Sequence, residues 1–566
     1  MLRPSGAPAM LAIIAMSMAI VAPFIIRGVP FPSVNSGHDL AFQRLILEGL
    51  ASNAWRGILP PIWFFDGYAG LGSPAPIFYG PGAFVPALAL HRLGIEADPA
   101  LALSMAAARV VGAIGMFAWL ARSGASPAAA VVAAAIMALF PYNALNSPLI
   151  AFRYAETMAI GLLPWLFVAA DRAMAATGGA RAPYVLPIAV LFGAMAMTHL
   201  QQTLIAALVL PAWVLLRRGA APAVLTCLGG VIGAGLAAWL LLPAISMRGL
   251  IHEAAWGFSG LMRAMSLFGP WLTGLIFEAE PSRWNTWPFW ATLYLGWLLA
   301  MGLGMGALLS RVPDAAGRLA AWFTLLLALT MVPPLVWLFP HLPVLVNLQF
   351  PWRHMSILGV FAGLTGASLW ASGRRPRWFI RCILVVLAGQ LAWPWASLAF
   401  PPSVVAAHPH LFLQFREDDP APTIQRPYLG AYEYLPATAI RSRFDWINVM
   451  APPEPLAAIC AREPCAELDR SIPGRLRVRL DGNPDGQLLP HFHWPGMTCT
   501  GCRLALDERT GLIRAWTSEG GSGTAVIQVA PLRPQLIGMA ISGASLLLVA
   551  ALGLLTLLPR RRINPA

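Results

Sequence analysis

Long apolar runs recur along almost the whole chain and constrain its fold more than any other feature. About 20 apolar residues cross a bilayer as a helix. Thirteen runs approach that length, near residues 9–26, 77–93, 101–121, 126–145, 155–171, 183–198, 201–216, 222–245, 288–309, 318–339, 355–372, 378–400 and 535–558. Only 11% of the residues are charged, against about 25% in soluble domains. The sequence therefore predicts a polytopic α-helical membrane protein.

The distribution of arginine predicts the orientation of these runs. The net charge is +13, and cytoplasmic loops concentrate Arg and Lys. The cluster Arg560–Arg562 follows the last run, so the polar stretch 401–534 is predicted to lie outside the cytoplasm. Alternation back along the chain places loops 27–76 and 246–287 on the same external side. No basic face with interleaved aromatic residues is visible, so nucleic-acid binding is not expected.

The exact number of spans depends on the first hundred residues. The start Met1-Leu2-Arg3 favours an internal N-terminus, which requires an even number of spans. The run 77–93 is interrupted by Gly80-Pro81-Gly82, which predicts a re-entrant or half-spanning segment, and no clear turn divides residues 183–216. We expect about twelve spans, with thirteen as the alternative. The first run is expected to be a retained helix rather than a cleaved signal.

The polar stretch 401–534 predicts a small antiparallel β domain of the sandwich type, because polar and apolar residues alternate in several of its short segments. Arg475–Leu480 and Thr524–Val529 show this alternation, and Gly- and Asn-rich turns separate such segments. The predicted organisation is a transmembrane domain over 1–400, the external β domain over 401–534, and a last helix with a cytoplasmic tail over 535–566.

Four of the six cysteines lie in that predicted external domain. An oxidising compartment favours disulfides, and pairing by proximity joins Cys460 to Cys465 and Cys499 to Cys502. A four-cysteine zinc site is the alternative, although the spacing resembles known zinc sites only loosely. The other two, Cys227 and Cys382, lie in apolar runs and are expected to be packing residues.

An acidic residue beside a histidine follows the first apolar run on the predicted external face. His38 and Asp39 precede an amphipathic segment from about Leu40 to Leu50, and a Gly-rich run over 66–74 comes next. A carboxylate in an apolar interfacial pocket can act as a general base towards a hydroxyl or bind a cation. The alternative is that Asp39 caps the following helix, since Asp is a preferred N-cap residue.

Three further polar groups fall on the same predicted face. They are Arg153 with Glu156, His199 with its neighbouring glutamines, and Trp352 with Arg353. Ionisable groups near the membrane boundary are costly and often functional. Structural alternatives are an i,i+3 ion pair, a histidine satisfied within the helix bundle, and interfacial anchors. In loop 246–287, His252 with Glu253 and Trp256 is a candidate lid over a shared site.

These segments resemble a known family. The residues that carry the resemblance are the external His38-Asp39, "RYAETMAIGLLPW", "MTHLQQTL", "LQFPWRHMSIL", and the ending with "HFHWPGM" before a last helix. The chain resembles the pyruvoyl-tetrahydropterin synthase-related bacterial membrane proteins and the neighbouring YfhO-type proteins. These are similar to the GT-C glycosyltransferase superfamily, which uses lipid-phosphate-linked sugars and a catalytic acid in the first external loop.

The resemblance implies a multi-pass protein of the bacterial inner membrane that transfers a sugar, with inversion, from a polyprenyl-phosphate-linked donor to an envelope glycan, lipid or protein. Asp39 would be the catalytic base and His38 its orienting partner. Arg353 and Arg153 would hold the donor phosphate, with Glu156, His199, Trp352 and His252 as further substrate-binding candidates. Because His38 stands where a second acid is familiar, use of a divalent cation stays open. A lipid or polysaccharide transporter and a non-catalytic envelope scaffold are the alternatives.

Overall fold

The computed structural model describes most of the chain. The described residues are 7–22, 37–54, 62–68, 70–150, 152–175, 185–251, 267, 287–342, 345–348, 350–373, 377–399, 435–439, 460–472, 474–518 and 520–557. Within these ranges, seven helices are long and apolar enough to cross a membrane, or eight when one bent pair counts as a single span. The predicted class, a helical membrane protein with a small β domain before its last helix, is confirmed.

The helices of the bundle follow the predicted apolar runs closely at most positions. In chain order they are α1 Ala7–Ala19, α2 Gly37–Ala54, α3 Ala75–Phe78, α4 Val85–Arg92, α5 Ala97–Arg122, α6 Pro127–Leu139, α7 Tyr154–Ala175, α8 Val185–Thr198, α9 Leu200–Arg218, α10 Ala220–Leu236, α11 Ala238–Ser246, α12 Trp287–Leu309, α13 Ala315–Leu329, α14 Met355–Ala371, α15 Arg377–Ala399 and α16 Arg533–Leu557. Short 3₁₀ turns cover Pro81–Phe84, Arg248–Leu250, Leu335–His341, Leu345–Leu348 and Pro351–His354.

Two predicted spans are broken, and others form helices that are shorter than a span within the described residues, so fewer straight spans are seen there than the twelve or thirteen expected. The run 222–245 forms α10 and α11, which meet at an angle of 78°. The run 77–93 consists of α3, a 3₁₀ turn and α4. The stretch 183–216 is divided at His199 into α8 and α9, in agreement with the two runs predicted there. The sequence predicts the break in 77–93 from Gly80-Pro81-Gly82, whereas the bend within 222–245 is not predicted, because hydropathy measures composition and not continuity.

A π-helix continues the chain after α6. It covers Tyr142–Ile150, and all nine of its side chains are buried. The span predicted over 126–145 is present as one candidate span over Pro127–Ile150, although its α-helical part ends at Leu139 and Pro141 separates it from the wider turns. Proline lacks the N–H that a continuing α-helix needs. Single-turn π segments occur often at functional sites, so this stretch is a place to look for one.

The β strands form two antiparallel sheets around one apolar core. The strands are β1 Leu468–Asp469, β2 Arg475–Leu480, β3 Gln487–Phe492, β4 Met497–Thr500, β5 Cys502–Leu506, β6 Leu512–Thr517 and β7 Gly523–Val529. Their orders are β1-β2-β7-β4 and β3-β6-β5. The alternation of β2 buries Leu476, Val478 and Leu480. They share a core with Phe492 and Leu512 of the other sheet, as the predicted sandwich requires.

The cysteines pair as their spacing suggested. Disulfides join Cys460 to Cys465 and Cys499 to Cys502, so these four sulfur atoms are engaged in pairs and do not form the zinc set considered as the alternative. The expectation for the other two cysteines was wrong. Cys227 and Cys382 are both exposed, because they lie on outward faces of α10 and α15 rather than between helices.

The last helix returns to the bundle at the bend between α10 and α11. Ser542 Oγ donates a hydrogen bond to the Gly235 carbonyl oxygen at 3.1 Å and accepts one from the Trp239 N–H at 2.9 Å. A Cβ atom on Gly538 would lie 2.5 Å from the Ala238 carbonyl oxygen, so only glycine allows this approach. Elsewhere α16 presents exposed side chains such as Leu547, as expected for a helix that faces lipid.

Residues 62–84 connect the β sandwich to the helix bundle, and we call them the linking segment. Its first part closes into a loop by a pair of backbone hydrogen bonds between Phe64 and Ser73, both 2.9 Å. This loop packs into the core of the β sandwich, where the Phe492 N–H donates to the Leu71 carbonyl oxygen at 2.7 Å. The predicted Gly-rich run 66–74 is therefore a docking loop.

Gly72 is required for this docking, and replacing it with alanine should loosen the loop. Its φ is +92°, and an added Cβ would lie 2.5 Å from Trp63 and 2.6 Å from His491. Overpacking of this kind costs about 1 to 3 kcal/mol, so we expect Gly72→Ala to accelerate hydrogen exchange at the Phe492 amide about 5- to 100-fold. Mass spectrometry of the corresponding peptide measures this rate.

Gly94→Ala is the matched control, because Gly94 has φ +89° with no neighbouring atom within 4 Å of an added Cβ. It introduces the same backbone strain without the collision. Equal exchange rates at Phe492 in the two variants would show that contact with Trp63 and His491 does not hold the loop.

Candidate functional site

A buried carboxylate lies at the centre of a polar network between the membrane helices. Glu156, in the first turn of α7, has a fully buried side chain. Its Oε1 accepts hydrogen bonds from the Tyr142 hydroxyl and from Gln202 Nε2, both at 2.7 Å. Its Oε2 lies 3.9 Å from Arg153 Nε. Glu156 therefore joins the π-helix, α7 and α9.

Gln202 extends this network to the segment that precedes α14. Its Nε2 also donates to the carbonyl oxygen of Arg353 at 3.2 Å, and its Oε1 accepts from Ser356 Oγ at 2.5 Å. Ser356 Oγ lies 2.9 Å from the same Arg353 carbonyl oxygen. The side chains of Gln202 and Ser356 thus fix the backbone of Arg353, and with it the point from which the arginine side chain extends.

Arg153 is held by polar groups and by aromatic rings. Its Nη1 donates to the Tyr142 hydroxyl at 3.0 Å and to Asn146 Oδ1 at 3.3 Å. Its guanidinium carbon lies 5.9 Å from the centroid of the Trp352 ring. The guanidinium of Arg353 lies 5.2 Å from the Phe350 ring in the same way. Such cation–π contacts favour arginine in a desolvated site.

The network carries an excess of positive charge. The side chains of Arg153 and Arg353 are each 9% exposed, and both guanidinium groups act electrostatically on the one carboxylate of Glu156. Two positive charges and one negative charge leave a net charge of +1. The N-terminal ends of α7, α9 and α14 meet here, and helix N-termini also favour anions. The chemistry of the cluster therefore suits an anionic group such as a phosphate.

His199 has a defined structural role at this site. It is the N-cap residue of α9, and its Nδ1 accepts a hydrogen bond from the Gln202 N–H at 3.2 Å. In this role Nδ1 carries no proton. The structural alternative weighed from the sequence, a histidine satisfied within the bundle, describes this contact, and a substrate-binding role for His199 stays a prediction.

The structure thus brings together four residues that the sequence placed on one face, namely Arg153, Glu156, Trp352 and Arg353, with His199 capping the helix beside them. The alternative of Trp352 as an interfacial anchor was wrong, since the ring is 2% exposed and stacks on Phe350 with 4.5 Å between centroids. Interfacial anchors keep one edge in the headgroup region. His252 lies outside the described residues.

Asp39 and His38 are placed by their backbone only. Helix α2 begins at Gly37, so Asp39 belongs to its first turn and does not precede the helix as a cap would. The side chains of both residues lie outside the described part of the chain. One turn further along α2, Gln43 Nε2 donates to the Tyr79 hydroxyl at 2.9 Å, and the Phe42 ring packs on Tyr79.

Tyr79 belongs to the linking segment, which continues from there to the buried network. Its ring lies 6.2 Å from Phe84, and Phe84 lies 5.0 Å from Tyr154, two residues before Glu156. Between them, a Cβ on Gly80 would lie 2.5 Å from the carbonyl oxygen of Met197, near the N-cap of α9. The start of α2 and the network are therefore connected by contiguous packing.

Three residues of the network were missed from the sequence. Tyr142 falls within the apolar run 126–145, Asn146 falls in the polar turn that follows it, and Ser356 falls within the run 355–372. A signal for the first two was available, since Pro141 and Pro148 flank a stretch with three polar residues, Asn143, Asn146 and Ser147. No comparable signal marks Ser356.

Solved structures show a distant likeness over much of the chain. No family model and no curated protein matches it. It is similar to the arabinofuranosyltransferase AftD from Mycobacteria, with 18% identity and a TM-score of 0.44, over 94% of this chain and 40% of that chain. The archaeal oligosaccharyltransferase AglB from Archaeoglobus fulgidus, in complex with an inhibitory peptide and a dolichol-phosphate, matches with 14% identity and a TM-score of 0.37.

The alignment with AglB covers 74% of this chain and 57% of that chain. This chain therefore spans about two fifths of the AftD structure and less than two thirds of AglB. Likeness at these TM-scores carries no argument about activity. The functional argument consequently depends on the buried network itself.

Metal binding receives no support from the described residues, among which no three His, Cys, Asp or Glu side chains are grouped as a metal site. His38 and Asp39 are outside that comparison because their side chains are not described. The positive groups at the network, Arg153 and Arg353, supply the charge that a cation would otherwise bring to a phosphate.

Glu156→Gln should destabilise the helix bundle. The amide keeps the shape of the side chain but leaves Arg153 and Arg353 buried without their counter-charge. Removing one partner of a buried pair costs about 3 to 5 kcal/mol. We expect a lower thermal unfolding midpoint for the purified protein in detergent micelles. Glu508→Gln, an exposed change, is the control, and an equally small shift in both variants would contradict a structural role of the Glu156 charge.

His491 connects the docking loop to the β sandwich and should make this contact sensitive to acid. Its Nε2 accepts from Trp63 Nε1 at 3.1 Å, and its Nδ1 donates to the Gly70 carbonyl oxygen at 2.9 Å. Burial lowers the pKa of His491 to about 3. The undocked residue binds its proton near the ordinary value of about 6.5, so stability should decrease as the pH falls from about 6.5 towards 3.

Thermal unfolding of the full-length protein between pH 7 and pH 4 measures this dependence. In His491→Gln, which does not titrate, the decrease should be smaller. His493→Gln is the control, because His493 is only partly exposed yet lies outside the loop contact, and burial also lowers its pKa. If the acid dependence were lost in the His493 variant and kept in the His491 variant, His493 and not His491 would be its cause, and the prediction would be wrong.

Proposed function

We propose that this chain is a membrane glycosyltransferase that moves a sugar from a polyprenyl-phosphate-linked donor to an acceptor outside the cytoplasm, with inversion at the anomeric carbon. The observation that supports this best is the buried network with net positive charge at Arg153, Glu156 and Arg353, where three helix N-termini meet. Phosphate is the anion that such a combination of guanidinium groups and helix ends suits best.

The position of the network suits a substrate that is anchored in lipid. It is built from α7, α9 and α14, each of which is long and apolar enough to cross a membrane. Arg217 and Arg218 lie at the opposite end of α9 from the network. Under the preference of arginine for the cytoplasmic side, the network faces outwards. A phosphate on a polyprenyl chain would reach it from the outer leaflet.

In the proposed reaction, Asp39 takes the proton from the acceptor hydroxyl as its oxygen attacks the anomeric carbon. The bond from that carbon to the donor phosphate oxygen breaks, and polyprenyl phosphate leaves with the bonding electrons. Arg153 and Arg353 stabilise the charge that develops on the phosphate. A single displacement inverts the anomeric centre. His38 would orient Asp39 or the phosphate.

The remaining residues have supporting roles in this proposal. Glu156 fixes the orientation of Arg153, and Trp352 covers the guanidinium groups. His199 holds the start of α9. His252 is proposed to belong to a lid over the site. The β domain, proposed to cover residues 401–534 outside the membrane, would bind the acceptor, and its docking loop offers a route from that domain to the start of α2.

A lipid or polysaccharide transporter is the second candidate. The observation that favours it is Arg109, a charged residue at the middle of α5 that is 7% exposed, since transporters carry ionisable residues deep in their spans. However, Arg109 bonds to backbone carbonyl groups, which gives it a structural explanation.

Asp39→Asn should abolish sugar transfer. General base catalysis contributes about 10²- to 10⁴-fold to rate, so we expect a loss in that range with unchanged expression and unchanged donor binding. Purified protein in liposomes would be supplied with a panel of polyprenyl-phosphate sugars, and transfer would be measured by mass spectrometry. Glu48→Gln on the same helix is the control.

Full transfer by the Asp39→Asn variant would reject Asp39 as the base. Movement of the labelled lipid across the liposome membrane by the unmodified protein, without any sugar transfer, would favour the transporter. A scaffold would be favoured if the protein neither transfers sugar nor moves lipid, and if deletion of residues 401–534 abolishes its function in the cell envelope.

A further inference from the structure

Arg109 donates hydrogen bonds to three backbone carbonyl groups of a neighbouring segment. Its Nη1 lies 2.5 Å from the Asn143 carbonyl oxygen and 3.2 Å from that of Ala144, and its Nη2 lies 3.2 Å from that of Ala138. Ala138 is in the last turn of α6, whereas Asn143 and Ala144 belong to the π-helix. The guanidinium therefore bridges the break between these two helices.

Two prolines leave two backbone carbonyl groups of this region, those of Asn143 and Met137, without a backbone donor. In a π-helix, each carbonyl oxygen accepts from the N–H five residues later. For Asn143 that residue is Pro148, which has no N–H. Pro141 removes a donor in the same way from Met137, four residues earlier, and there Asn143 Nδ2 donates instead, at 3.2 Å. Arg109 replaces the donor that Pro148 lacks.

An unsatisfied carbonyl group would be costly at this position. In the apolar interior of a membrane protein, each unpaired backbone group costs several kcal/mol. All nine residues of the π-helix are buried, so water is not at hand as a substitute. Without Arg109, the segment around Asn143 would have to rewind to find other partners.

The π-helix carries two side chains of the candidate site. Tyr142 contacts both Glu156 and Arg153, and Asn146 accepts from Arg153 and donates to Thr292 Oγ1 of α12 at 2.8 Å. Rewinding from π to α geometry would rotate these side chains relative to α7. The position of both residues consequently depends on the winding that Arg109 supports.

We infer that Arg109 is a positioning residue, whose guanidinium supplies the hydrogen bond that Pro148 cannot donate and thereby holds Tyr142 and Asn146 against Arg153. Arginine suits this role because its planar fork reaches the carbonyl groups of Ala138 and Asn143 with two different nitrogen atoms. Lysine has one nitrogen and cannot occupy both positions. The inference concerns the π-helical conformation of Tyr142–Ile150, and only its kinetic consequence rests on the proposed function.

A cross-linking experiment tests the winding without any assay of activity. Asn146→Cys and Thr292→Cys would be introduced into full-length protein in which Cys227 and Cys382 are serine, so that no other free cysteine competes. With Arg109 present, a mild oxidant should join the two new cysteines rapidly. With Arg109→Met, we expect a rate at least about 5-fold lower, corresponding to about 1 kcal/mol of lost positioning.

Pro148→Ala is the decisive rescue, because alanine restores the missing N–H. The double variant Arg109→Met with Pro148→Ala should recover most of the cross-linking rate, which a role of Arg109 in packing alone does not predict. An unchanged rate in Arg109→Met, or no recovery in a folded double variant, would overturn the inference. If Arg109→Met does not fold, Arg109→Lys takes its place, and the same rescue decides the result.

The kinetic consequence can be measured once sugar transfer is established. Arg109→Lys should lower kcat/KM for the donor about 10-fold, with the loss mainly in kcat, since a displaced Arg153 stabilises the charge that develops on the leaving phosphate less well. Tyr142→Phe should act similarly, and the double variant should be no worse than the poorer single variant. Additive losses would contradict a shared mechanism.

The cross-linking experiment and the sugar-transfer assay can fail independently of each other. If the unmodified protein transfers no sugar from any donor in the panel, the proposed function fails, while the cross-linking rates still decide whether Arg109 holds the π-helix. If transfer occurs and Pro148→Ala does not rescue Arg109→Met, the function stands and the role assigned to Arg109 is rejected.

Discussion

The requirement that every polar group between membrane helices find a partner organises this structure. Glu156 illustrates it, because one carboxylate accepts from Tyr142 and Gln202 and faces Arg153. Those partners lie on three different segments. A charge in an apolar bundle is tolerated only with such partners, so the position of Glu156 fixes how the π-helix, α7 and α9 pack. The segment before α14 follows through Gln202 and the Arg353 backbone.

The same requirement explains the irregular backbone beside the network. Proline at 141 and 148 deprives two carbonyl groups of their donors, and the side chains of Asn143 and Arg109 replace them. A regular α-helix would need neither substitution. The wider turns place Tyr142 and Asn146 where they meet Arg153. The π-helix and the charged cluster therefore occur together for a physical reason, since Tyr142 and Asn146 of the π-helix are hydrogen-bond partners of Arg153 in the cluster.

The linking segment gives the β sandwich a physical connection to this cluster. At one end, its loop is held by Trp63 and His491. At the other end, aromatic contacts run through Tyr79 and Phe84 to Tyr154. These contacts form a continuous packed path from the sandwich to the start of α7. This connection makes the β domain a structural neighbour of the candidate site rather than an independent module.

The sequence by itself determined the membrane class, the β strands around Arg475–Leu480 and the grouping of Arg153, Glu156 and Arg353 on one face, whereas the disulfide pairing stayed one of two alternatives until the structure was seen. Each follows from local composition, alternation or the side of the membrane, which neighbouring residues encode. Only the tertiary structure decided the 78° bend between α10 and α11, the docking of the Gly-rich loop, and the role of Arg109. These depend on which distant group meets an unpaired donor or acceptor, and hydropathy carries no information about such pairing.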